Sequence, residues 1–198
     1  MIKRVLLGTL VLAASVNCGS LTTQGTSASY LVVETLEGAR GSRPDDFGGD
    51  LHSDVVTLDD EGHGIIWSDI GRVNFRLGLK DAGSPGLPTI SSPNNAITVN
   101  RYRVRYIRSD GRNTQGVDVP YAFDGAFTGT VQAPLEMTFT LVRSQAKAEP
   151  PLASLAANFV IISTIAEVTF YGRDQTGREV SVTANIGVHF ANFGDDPA

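Results

Sequence analysis

The chain is poor in the residues from which most catalytic and metal sites are built. Its 198 residues include one cysteine, three histidines, two methionines and one tryptophan. The single cysteine, Cys18, excludes an internal disulfide and any zinc site that draws on several thiolates. Only His52, His63 and His189 have an ordinary pKa near neutrality. There is no Gly-x-Ser-x-Gly turn, no His-Glu-x-x-His helix, no Gly-x-x-x-x-Gly-Lys phosphate loop and no dinucleotide fingerprint. No apolar run reaches the roughly 20 residues that a membrane-crossing helix needs. Nor does any stretch keep apolar residues at i, i+3, i+4 and i+7 through three turns. These absences point away from an enzyme and imply no cofactor.

The N-terminus is distinctive. Lys3 and Arg4 precede Val5 to Ala14, which are apolar apart from Gly8 and Thr9. A charged start and a short apolar run are the layout of a secretory signal peptide. Cys18 follows immediately, in Ser15-Val16-Asn17-Cys18, and in that position it resembles the lipidated first residue of mature bacterial lipoproteins. The resemblance implies cleavage before Cys18, a diacylglyceryl group on its sulfur and attachment to a membrane through that lipid. The alternative is plain secretion with cleavage after Ser15, which leaves Cys18 a free thiol. Gly19, rather than Asp, after the cysteine leans the resemblance towards the outer membrane of an organism that has one. Gly19 to Ser29 is rich in Gly, Ser and Thr and reads as a flexible tether.

The net charge is −5, and removing Lys3 and Arg4 with the leader makes the remainder more acidic still. Such a surface disfavours nucleic acid. A protein or polysaccharide of the envelope is the expected class of partner. The organisation expected is therefore a signal peptide over 1–17, a lipidated cysteine and linker over 18–28, and one domain over 29–198.

Beyond Ser29 the pattern is that of strands. Tyr30 to Leu36 and Leu51 to Leu58 open the domain, Ile65 to Trp67 is short, and Arg72 to Lys80 alternates with Val73, Phe75, Leu77 and Leu79 on one face. Ala82 to Asn95, with three prolines, is a loop. Ala96 to Arg108 alternates up to the turn Asp110-Gly111, and Pro120 confines the segment around it to an edge or a loop. Phe127 to Val131 and Leu135 to Val142 follow, then one helical turn near Leu152 to Ala156. Last come Phe159 to Tyr171 and Glu179 to Phe190, joined by Arg173-Asp174-Gln175-Thr176-Gly177, with Val180, Val182, Ala184, Ile186, Val188 and Phe190 all on one face. The segment Tyr171 to Val182, where Asp-x-x-Gly precedes an alternating final strand, resembles the last hairpin of bacterial immunoglobulin-like domains. That implies an all-β, antiparallel, immunoglobulin-like or fibronectin III-like sandwich of about eight strands.

Three groups of residues are candidates for a site. Alternation places Asp50, His52 and Asp54 on one strand face, which reads first as a solvated polar face beside a turn and, as the alternative, as an oxygen-rich set with one imidazole for a metal ion. Arg101, Arg103 and Arg105 form a basic stripe opposite Tyr102, Val104 and Tyr106. The stripe is either paired with acidic neighbours across the sheet or a contact surface for an anionic partner. Trp67, Tyr102, Tyr106 and Tyr121 form an aromatic glycan platform only where they stand exposed on one surface.

Overall fold

The computed structural model describes residues 27–194. The leader over 1–17, Cys18 and the tether up to residue 26 lie outside the described residues. The chain is mostly β, with 55% strand and few short helices. In order the elements are β1 (Ser29–Ala39), β2 (Asp50–Asp54), β3 (Thr57–Leu58), β4 (Gly64–Ile65), β5 (Asp69–Leu79), β6 (Gly83–Ser84), β7 (Leu87–Pro88) and β8 (Ile97–Ile107). They continue with β9 (Phe123–Val131), β10 (Leu135–Val142), α1 (Ser144–Ala148), β11 (Ile162–Asp174) and β12 (Glu179–Ala191). A 3-10 turn at Leu152–Ala157 stands where the sequence places a helical turn.

Two sheets carry the fold. One is three-stranded, ordered β1-β5-β10; the other is a curled five-stranded half-barrel, ordered β2-β12-β11-β8-β9. β3-β4 and β6-β7 are two-residue ladders inside loops. One pairing departs from the antiparallel expectation, because β2 runs parallel to β12 at the sheet edge. The segment expected as one strand from Leu51 to Leu58 breaks after Asp54, where Val55 turns inward and its amide bonds Ala191 O. That break frees the chain to form the β3-β4 hairpin before β5.

The sheets meet through aromatic side chains. Phe75 of β5 lies edge-on to Phe170 of β11, with ring centroids 4.9 Å apart, and Phe139 of β10 packs on both Tyr102 and Phe170. Burial of each such ring contributes roughly 1.5–3 kcal/mol, and each edge-to-face pair adds roughly 0.5–1.5 kcal/mol. Gly125 of β9 is required here, since a Cβ would run into the Tyr102 ring. Tyr106 Oη donates to Leu141 O at 2.7 Å, so the phenol crosses the core without an unpaired hydroxyl.

The registers place both chain directions in one frame. Ala39, Asp54, Ile107, Val142 and Ala191 end their strands at one end of the molecule, where β5 and β11 begin. The described chain begins at the opposite end, where Ser29 pairs with Leu79 and its hydroxyl donates to Asn95 O. The last hairpin turns there as well.

That turn is held by Asp174, whose Oδ1 accepts from Thr176 N, Thr176 Oγ1 and Arg178 N at 2.7–2.9 Å, while Gly177 takes the left-handed conformation (φ 84°). Burial works against the Asp174 carboxylate, but hydrogen bonds from Thr176, Arg178 and Ser27 outweigh it and hold the carboxyl below its ordinary range. Asp174→Ala should therefore cost about 1–2 kcal/mol at neutral pH. A depressed pKa stabilises above the unfolded value and is lost as pH falls through the folded one. Melts of both proteins should keep their gap down to about pH 4 and lose it below; a gap that stayed constant to pH 2 would contradict this assignment.

Candidate functional site

The arginine stripe lies on the outer face of the five-stranded sheet, as alternation requires. Tyr102, Val104 and Tyr106 are buried and Arg101, Arg103 and Arg105 are exposed. Arg103 bonds Asp124 at 2.7 Å and Arg105 bonds Glu167 at 3.0 Å, so these two are paired across the sheet. Arg101 differs. It reaches Asp124 only at 3.8 Å, and its guanidinium lies 4.1 Å above the ring of Tyr171.

A bulge accounts for the difference. The register of β8 slips between Val99 and Arg101 on both of its sides, against β9 and against β11. Against β11 Asn100 is the extra residue, whereas against β9 the extra residue lies on β9, where Phe127 and Thr128 stand opposite Asn100; both Asn100 and Arg101 face solvent. The period shift is visible in the sequence, since Ile97 and Val99 point inward and the next inward residue is Tyr102. The bulge opens a cleft of about 630 Å³ lined by Asn100, Arg101, Ala126, Tyr171, Arg173 and Ser181 among others. Glu179 stands on its rim and bonds Arg173 at 3.2 Å.

Asp50, His52 and Asp54 do not form a set. Asp50 and His52 face outward, but Asp54 is buried and accepts from Phe193 N at 3.2 Å. The His52 ring stacks on Phe193 and meets His189 edge-on, and His189 Nδ1 lies 2.9 Å from Ser163 Oγ. His63 sits apart in the β3-β4 turn beside Asp59 and Glu61. Among the described residues no three ligating side chains gather around one point. Of the four candidate platform rings, Tyr102 and Tyr106 are core residues, while Trp67 and Tyr121 are exposed. Burial pushes both core phenols above their ordinary pKa.

Two features carry no signal that alternation could detect. The first is a buried ion pair. Lys147 of α1 places Nζ 2.8 Å from Asp69 Oδ1, with both side chains 1% exposed. Asp69 also accepts from Gly41 N at 3.0 Å and from Ser53 Oγ at 2.6 Å. The second is the end of the molecule above that pair. Of thirteen large exposed apolar side chains among the described residues, nine lie in the loops at the end away from Ser29. They are Leu58, Ile65, Ile66 and Trp67, then Val117 and Tyr121, then Phe159, Val160 and Ile161.

With this geometry in view, the chain matches no family model, no curated protein and no solved structure. Chemically, the described residues offer two kinds of contact: an apolar end fixed by a buried ion pair, and a guanidinium-lined cleft on the outer sheet face.

Proposed function

We propose that this chain is an exported, lipid-anchored protein of the cell envelope. Its immunoglobulin-like domain acts as a non-catalytic interaction module, docking another envelope protein through the end remote from the tether. The strand order supports the immunoglobulin-like reading: β1-β5-β10 faces β2-β12-β11-β8-β9, and the chain changes sheets between β1 and β2, β2 and β5, β5 and β8, β9 and β10, and β10 and β11. The anchor rests on Lys3 and Arg4, the apolar run after them and Cys18.

The observation that carries the docking reading is the polarity of the domain. Ser29 lies at one end, and nine exposed apolar side chains lie in the loops at the other. Clustered apolar surface is costly in water and marks contact sites. A lipid at Cys18 would turn that end away from the anchoring membrane, towards other proteins.

Intact mass and fractionation test the anchor. The mature chain should begin at Cys18, carry acyl groups and sediment with membranes, and Cys18→Ala should release it or stall processing. An unmodified N-terminus would end the lipoprotein reading. A photo-crosslinking residue at Phe159 tests the docking end in intact cells. It should give a discrete adduct that the same residue at Thr183, on the outer face of β12, does not give; equal labelling from both positions would overturn the docking surface.

A further inference from the structure

We infer that the cleft at the Asn100 bulge binds a carboxylated saccharide chain, whose carboxylates Arg101 and Arg173 grip. The inference rests on the reading of the domain as a binding module, but it uses a different surface from the apolar end.

The bulge is the first argument. In a regular strand, Asn100 and Arg101 would face opposite sides of the sheet, one of them into the core. The extra residue that β8 carries against β11 lets both face outward, at the cost of ladder pairing in a central strand. An amide and a guanidinium are thereby set side by side on the outer face.

Charge is the second. Asp124 serves two guanidiniums, and Arg103 holds it at 2.7 Å while Arg101 stands at 3.8 Å. Arg101 is thus oriented by the Tyr171 ring, 54% exposed, and incompletely neutralised. Arg173 takes the next outward position after Tyr171 and makes a single contact of 3.2 Å with the exposed Glu179. Two planar forks flanking Tyr171 suit bidentate capture of carboxylates.

The choice of saccharide follows from what lies between the forks. Asn100, Ser181 and the Tyr171 hydroxyl offer neutral donors and acceptors for ring hydroxyls, and Ala126 and Val180 offer apolar area for ring C–H faces. An acidic peptide fits less well. Peptides gain much of their affinity on sheets by pairing with a free edge, whereas β8 and β11 are paired on both sides here.

Calorimetric titration of the purified full chain in detergent, with oligogalacturonate as probe, tests this. Oligogalacturonate should bind about tenfold more tightly than its carboxyl-reduced counterpart or a polyglutamate peptide of equal charge. Arg101→Ala should weaken binding about tenfold, with Arg101→Lys between, since a point charge replaces the fork. Arg105→Ala lies on the same stripe outside the cleft and should leave affinity unchanged, and equal melting temperatures would show that the variants are folded. Absence of binding at millimolar probe would overturn the inference. Equal loss in Arg105→Ala, or equal affinity for polyglutamate, would reduce it to diffuse charge or to a peptide site. The crosslink from position 159 separates the two readings: its survival without saccharide binding removes only the ligand, and its loss with saccharide binding intact removes only the docking end.

Discussion

Asp69→Ala should cost roughly 3–5 kcal/mol, a large part of the stability of an ordinary domain. The carboxylate it removes has three partners, Lys147 Nζ, Ser53 Oγ and Gly41 N, and both ends of the ion pair are 1% exposed. Burial pulls the Lys147 pKa down, and the Asp69 charge and hydrogen bond oppose that shift. Without Asp69 the ammonium has lost its counter-charge in a place that water does not reach. It must then lose its proton or leave, and either change loosens α1 from the start of β5. Lys147→Met should cost less, because the Asp69 carboxylate keeps two donors. The double variant Asp69→Leu, Lys147→Met should recover most of the loss, since an apolar pair of similar volume carries no desolvation penalty. Urea titrations of the parent, Asp69→Leu, Lys147→Met and the double variant form a complete cycle, with Asp69→Ala measured beside it. A loss below about 1 kcal/mol in Asp69→Ala would mean that water reaches the pair and that its burial is not as described.

The same pair bears on the proposed docking role. It ties α1, and through it the segment leading to Phe159, Val160 and Ile161, to β5, to β2 through Ser53 and to the loop at Gly41. The segment after α1 is thereby held near β5, and Phe159, Val160 and Ile161 stay exposed. A rigid presentation of this kind lowers the ordering cost of docking.

How legible this molecule was depends on the range of the interaction. Strands with one buried face could be read directly: Leu135, Met137, Phe139 and Leu141, or Ile186, Val188 and Phe190, announce their inward sides by period two. The bulge at Asn100 was legible in principle, as a step of three between Val99 and Tyr102. A second bulge, after Val33, puts the same step between Val33 and Leu36 in β1. The parallel pairing of β2 was not legible, because strand direction is set by the partner β12 and not by the five residues of β2. Lys147 was invisible for a similar reason. It lies in a segment rich in Ala and Pro that reads as loop, and the carboxylate that makes its burial tolerable is 78 positions away. The same holds for the apolar end, which is a property of three loops brought together by topology. By contrast the division of the Arg stripe into two paired residues and one oriented by an aromatic ring required the cross-strand neighbours Asp124, Glu167 and Tyr171.

Ile186→Asp should be the most damaging single change in the final hairpin. Ile186 is 3% exposed and pairs with the fully buried Ala166 on β11. It packs towards the three-stranded sheet, where a Cβ added to Gly38 of β1 would come within 3.4 Å of its Cδ1. A carboxylate at that position would have no donor from β12 itself, whose amides are committed to β11 and, farther along, to β2. It must stay protonated or pull the strand out of the core, and a loss of several kcal/mol is expected from an overall stability of about 5–15 kcal/mol. The neighbouring Asn185 provides the control, because one residue along a strand is the opposite face. Its register partner is Glu167, so Asn185→Asp would set like charges opposite one another, whereas Asn185→Lys would face an acid. Asn185→Lys should stay within about 0.5 kcal/mol of the parent, with Asn185→Asp slightly below it. Thermal melts of the full chain and its three variants measure the contrast. Equal tolerance at 185 and 186 would mean that β12 does not pack its Ile186 face on the core. Equal damage would mean that the outer face of β12 is covered as well, and the sheet face that carries the cleft would then have to be read as an interface with another chain.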